Sequence, residues 1–105
     1  MNKYTELSDF EINKRVFVAA KIEHEDTDLH SNKVFYGDGA NWIEFNPCNN
    51  PTDAMTIIIE NEISMIKSSG GWMCCHGSVG QVEHESLYRG AMELFLLIKD
   101  AENEG

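Results

Sequence analysis

Residues Trp42 to Ile66 carry the densest set of local folding instructions in this chain. Trp42-Ile43-Glu44-Phe45 is rich in β-formers and reads as a strand. Asn46-Pro47 ends it, because the residue before proline leaves the helical region and proline cannot donate to a ladder. Asn50-Pro51 then starts a helix. Asparagine is a preferred N-cap, and proline at the first helical position gives up a donor that had no partner. Asp53 falls at the third helical position, where a carboxylate meets the positive helix end. The helix should bury Ala54, Met55, Ile57 and Ile58 and leave Thr52, Thr56 and Glu60 to water. Asn61-Glu62 separates it from a short β-like run, Ile63 to Ile66.

A second set of instructions lies near the N-terminus. Ser8 and Glu11 have the spacing of a capping box, and Leu7 and Ile12 that of a hydrophobic staple. Ile12, Val16, Ala19 and Ala20 follow at helical intervals, which predicts a helix from Asp9 to Lys21. Glu23 to Asn32 loses the pattern and reads as an exposed acidic loop. It lacks the alternating oxygen ligands, the central glycine and the closing glutamate of a calcium loop. Val34-Phe35-Tyr36 is a short strand, joined through Gly37 to Asn41 to the strand at Trp42, as a hairpin. Trp72 to Cys75 pairs with Ile63 to Ile66 as a second hairpin, and His76 to Glu85 reads as a loop. Ser86 caps a last helix, Leu87 to Glu102. Its core stripe is Leu87, Ala91, Leu94, Phe95 and Ile98, with Arg89, Glu93 and Asp100 as a narrow polar strip. Gly90 inside it is unfavourable unless something packs closely there. A second apolar flank, Tyr88, Met92 and Leu96, is either wrapped by the chain's own domain or shared with another subunit. The shared reading makes these three residues the interface of a homodimer. The expected fold is α+β: one domain over residues 1–105, a small antiparallel or mixed sheet of short hairpins, and three helices packed on it.

Composition narrows the function. Eighteen acidic residues against eight lysines and arginines give a net charge of −10. That field repels phosphate backbones, so direct nucleic-acid binding is not expected. It suits solubility alone, or a basic protein partner, including mimicry of nucleic acid towards a DNA-binding enzyme. Three cysteines, two of them adjacent, make no disulfide framework and fit a reducing cytoplasm. The first residues have no signal-peptide core, and Leu94 to Ile98 is far too short to span a bilayer.

Chemistry-bearing clusters are few. Cys74, Cys75, His76 and His84 are the best metal candidates, but they lack the paired C-x₂-C spacing of a zinc site. A Cys/His nucleophile would need a base and an oxyanion donor, and the spacing provides neither. Gly77-Ser78-Val79-Gly80 lacks the lysine of a phosphate loop. No metal or cofactor is expected. Asn46, Asn49, Asn50 and Asp53 gather polar groups at a helix start, where a small anion could sit, although the same side chains can act as caps and turn-formers.

Three stretches resemble a known family: Asn46-Pro-Cys-Asn-Asn-Pro-Thr-Asp-Ala-Met55 with its isoleucine-rich continuation, Glu6-Leu-Ser-Asp-Phe-Glu-Ile-Asn-Lys-Arg-Val16, and Arg89-Gly-Ala-Met92. Together they resemble the NinX family of small proteins from lambda-like phages. Members tend to read Arg-Ala-Ala-Met in the closing helix, where this chain has Gly90. The resemblance implies a phage-encoded accessory protein working in the cytoplasm of a bacterial host, in a family without an established activity. It supplies no catalytic residues. Two readings follow. One is a non-catalytic interaction protein acting on a host or phage factor. The other is a small-ligand binder or enzyme using the Asn-rich turn or the Cys/His loop.

Overall fold

The computed structural model describes residues 2–104; the ends of the expected domain, positions 1 and 105, lie outside them. The fold is α+β, with three helices and two separate three-stranded antiparallel sheets. In chain order the elements are α1 (Asp9–Ala19), β1 (Asp26–His30), β2 (Lys33–Gly37), β3 (Trp42–Phe45), α2 (Pro51–Glu60), β4 (Ser64–Ser68), β5 (Gly71–His76), β6 (Gly80–His84) and α3 (Leu87–Glu104). Sheet order is β1-β2-β3 in one and β4-β5-β6 in the other.

The helix starts form as their punctuation predicts. Ser8 Oγ accepts from the Glu11 amide at 3.1 Å, while the Glu11 carboxylate turns to Lys14 Nζ, 2.9 Å away. Asn50 Oδ1 accepts from the Thr52 amide at 2.9 Å, with Pro51 as the first helical residue. Ser8→Ala should therefore remove about 1 kcal/mol, read as a lower urea midpoint. An unchanged midpoint would mean that the first turn of α1 does not depend on this cap.

The helix ends differ from expectation. Helix α1 stops at Ala19, short of the expected Lys21, which instead takes a left-handed φ of 54°. Helix α2 ends in a Schellman motif: Glu62 has φ 54°, its amide reaches Ile59 O at 3.2 Å, and the Ile63 amide reaches Ile58 O at 3.1 Å. Glycine is the usual residue at such positions, and neither helix has one there.

Two expected loops are strands. Asp26–His30 forms β1 with all five side chains exposed, paired residue by residue with β2. Ser31 and Asn32, at φ 54° and 57°, make the two-residue turn between them. Both φ values are positive, as a type I′ hairpin requires. Gly80–His84 forms β6 against β5, and Val82 is its one buried residue. Backbone ladders hold these edge strands, so apolar periodicity could not reveal them.

Helix α3 is the centre of the fold. Helices α1 and α2 pack on it, and the β4-β5-β6 sheet covers another side through Cys74 and Val82. At Gly90 an added Cβ would stand 3.0 Å from His84 Cβ and 3.6 Å from Cys74 Sγ, so the sheet makes the close approach that a mid-helix glycine called for. On the β1-β2-β3 sheet, Phe17 of α1 meets Tyr36 and Phe45 at ring distances of 5.6 and 5.5 Å.

Candidate functional site

The second flank of α3 is not a surface. Met92 is fully buried and Leu96 is 4% exposed within a single chain, and only Tyr88 remains half-buried. The wrapping reading is the one the structure shows, because α1, α2 and the second sheet all pack around α3. The interface expected at Tyr88, Met92 and Leu96 therefore falls away as the basis for a homodimer.

The polar strip is also misplaced by periodicity alone. Arg89 and Glu93 lie in the interior, with side chains 8% and 1% exposed. Arg89 Nε donates to Glu93 Oε2 at 2.7 Å, Nη1 to Asp9 Oδ1 at 2.7 Å, and Nη2 to the carbonyls of Tyr4 and Leu7 at 3.0 and 2.7 Å. Burial opposes the guanidinium charge, but the hydrogen bonds to Asp9 and Glu93 outweigh it and hold the Arg89 pKa above its ordinary value. Glu93 Oε1 accepts from Asn2 Nδ2 at 3.1 Å.

The Asn-rich turn is assembled next to this cluster. Asn13, buried on α1, donates to Asn46 Oδ1 at 2.8 Å and accepts from the Cys48 amide at 3.2 Å. Asn49 Nδ2 reaches both Asp9 Oδ2 and Asn46 Oδ1, at 3.2 and 3.1 Å. Asp53 Oδ2 accepts from the Asn46 amide at 2.9 Å. Asn50 is occupied as the cap. The structure thus brings Asn46, Asn49, Asn50 and Asp53 together, as expected, but their polar groups bind one another and α1. Among the described residues, no buried side-chain nitrogen or oxygen lacks a partner.

The Cys/His candidates separate. Cys74 is buried, with Sγ 3.8 Å from Leu87 O, whereas Cys75 lies on the opposite face of β5. His84 Nδ1 accepts from the Ser86 amide at 2.9 Å, and His76 Nδ1 from the Ser78 amide at 3.2 Å. Among the described residues, no three His, Cys, Asp or Glu side chains are placed to hold a metal ion. Burial, aided by Asp9, pushes the Cys48 thiol up to about 12; burial, aided by Cys75, pushes Cys74 up to about 11. Both stay protonated and unreactive at neutral pH. A disulfide reagent should therefore titrate one thiol, Cys75, in the native chain and all three in urea. Rapid native reaction of a second thiol would show that Cys48 or Cys74 is accessible.

Two apolar features on the side of the β1-β2-β3 sheet are open to solvent. A groove of about 380 Å³ between α1 and β1 is lined by Phe17, Val18, Ile22, Leu29 and Val34, with Lys14 and Lys21 beside them. The β1-β2-β3 sheet leaves Trp42 56% exposed on its outer face. Sequence reading missed Asp9, Asn13, Arg89 and Glu93 as one cluster, since their positions span 80 residues and more.

The geometry defines a small α+β fold whose polar cluster ties Asn2, Tyr4, Leu7 and α1 to the turn before α2 and to α3. The three stretches of family resemblance meet in that cluster, through Asp9 and Asn13, Asn46 and Cys48, and Arg89. The chain belongs to the family described as Bacteriophage P22, NinX, whose model matches residues 3–99. No curated protein and no solved structure matches it significantly.

Proposed function

We propose that this NinX-family chain is a non-catalytic interaction protein that acts on a basic host or phage factor in the cytoplasm of an infected bacterium. One observation carries the reading. The chain's polar clusters are consumed by its own folding contacts, while large apolar side chains, among them Val18, Leu29, Trp42, Ile59 and Ile66, stay exposed on a protein of net charge −10. Carboxylates around exposed apolar groups fit a partner that is both basic and partly apolar, and a DNA-binding protein is one such class. The same field repels nucleic acid itself. No helix among the described residues is long and apolar enough to cross a membrane.

The groove between α1 and β1 supports a second reading, in which the chain holds a small apolar ligand. Its lining is mostly hydrophobic, as in pockets for such molecules. Affinity capture from a bacterial lysate, followed by mass spectrometry of protein and of extracted small molecules, separates the two. A basic protein recovered in stoichiometric amount, lost at high salt, supports the interaction protein. A copurifying small ligand with no protein partner overturns it in favour of the second reading.

A further inference from the structure

We infer that the outer face of the β1-β2-β3 sheet is the docking surface for an arginine- or lysine-bearing segment of the partner; this rests on the interaction reading above. The strand register builds the face. Residues directly opposite one another share a side of a sheet, so Leu29, Val34 and Phe45 form one inward row and Thr27, Tyr36 and Ile43 the next. The alternate rows point away from α1. They read Asp26–Gly37–Trp42, then Asp28–Phe35–Glu44, then His30–Lys33. Aromatic rings are thus interleaved with carboxylates, and Lys33 is the one lysine or arginine in these rows.

Trp42 has no side chain opposite it on β2. Its indole carbons Cε3 and Cζ3 sit 3.6 Å from where a Cβ on Gly37 would stand, so the ring rests beside bare backbone. Asp26 lies across Gly37 from it, and Glu44 follows on the same side of its own strand. A guanidinium or ammonium over an indole face with carboxylates alongside gains both cation–π attraction and ion pairing.

The neighbouring row already holds an internal example of this recognition. The His30 imidazole stacks on Phe35 with ring centroids 4.6 Å apart and planes 10° from parallel. Its Nδ1 is 2.8 Å from Asp28 Oδ2. A flat nitrogen-bearing group on an aromatic ring, tethered to a carboxylate, is what an arginine from a partner would reproduce at Trp42. A second copy of this chain is a poor occupant, because each copy brings a charge of −10.

The test uses the full chain and a synthetic amidated peptide of four arginines spaced by glycines. Binding is followed by backbone amide shifts at moderate salt, and by the fluorescence of Trp42 in a Trp72→Phe background, since the chain has two tryptophans. The expected result is saturable binding, with shifts confined to residues 26–45. Trp42→Ala, at an exposed position, should weaken binding at least tenfold with an unchanged circular dichroism spectrum. Asp28→Asn with Glu44→Gln should do the same. Glu60→Gln with Glu62→Gln removes equal charge at the end of α2 and should change affinity less than threefold. Shifts spread over the whole acidic surface, equal weakening by the two double variants, or no effect of Trp42→Ala would overturn the assignment. Peptide binding that maps elsewhere would leave the basic-partner reading standing. Absence of binding even at low salt would sink both. Self-association of the free chain that Trp42→Ala abolishes would make a second copy the occupant and also refute the proposal.

Discussion

Arg89→Ala is expected to lower folding stability by about 3–5 kcal/mol, the range for breaking one partner out of a buried ion pair. The guanidinium is nearly enclosed and donates to a carboxylate on its own helix, a carboxylate on α1 and carbonyls of the chain's first residues. Truncation leaves Glu93 buried at 1% exposure, with Asn2 at 3.1 Å and His84 Nε2 at 3.9 Å as its remaining neighbours. It also strands the carbonyl of Leu7 and leaves that of Tyr4 with the Leu7 amide alone, 3.1 Å away. The large term is this uncompensated burial, not the net worth of the pair in the intact fold.

That distinction can be measured. Arg89→Met with Glu93→Leu removes both charges and keeps most of the volume, so it should recover much of the loss. Arg89→Lys keeps the charge but lacks the planar fork that reaches carboxylate and carbonyls at once, and should fall between. Amide exchange at Tyr4 to Leu7 should speed up in every Arg89 variant, since those residues are anchored through it. A loss below about 1 kcal/mol for Arg89→Ala, in the range of an exposed pair, would mean that water reaches Glu93 and that the cluster is not sealed.

The same cluster marks where sequence reading stopped. Ser8, Asn50 and Pro51 act on amides within a few residues, so the starts of α1 and α2 were legible. The hairpins at Phe45 and at Cys74 were legible too, because each pairs two runs rich in β-formers across a short turn. Arg89 and Glu93 looked solvent-facing because helical periodicity assigns charged residues to water. Only the arrival of Tyr4, Leu7 and Asp9 from the other end of the chain makes their burial favourable. Strand β1 has no buried side chain, so its one usable signal was the Ser31-Asn32 pair, a turn dipeptide between Leu29-His30 and Lys33-Val34. The Asn-rich turn was legible as a cluster. Its partners Asn13 and Asp9 were not, and they decide that its polar groups serve the fold. The dimer flank failed for a related reason: the amount of cover available to α3 depends on how α1 packs, which Met92 and Leu96 cannot report.

Raising the pH from 8 to 10.5 should cost about 4 kcal/mol of stability through Cys48 and Cys74 together, taking 1.36 kcal/mol per pKa unit. Both thiols are held protonated by burial, Cys48 up to about 12 and Cys74 up to about 11, against an ordinary value of 9.0. Well below pH 9 the folded and unfolded chains bind the same protons there, and no pH dependence arises. Above it the unfolded chain releases them while the folded chain keeps them. The native state then binds more protons, so unfolding becomes easier with each step of pH. The loss levels off only as the folded thiols themselves titrate. Tyr4, raised by burial and by its hydrogen bond to Asp100, adds a loss of the same sign near pH 10 and above. Cys48→Ala isolates one contribution, because the tyrosine behaves alike in both proteins. The variant should be less stable than the parent at pH 8, having lost a buried group, yet should lose about 2 kcal/mol less between pH 8 and 10.5. Urea titrations with reductant present, at both pH values, give the four numbers needed. Parallel losses in parent and variant would show that Cys48 ionises in the folded chain as readily as in the unfolded one, and hence that its site beside Asp9 and Asn13 is open to water.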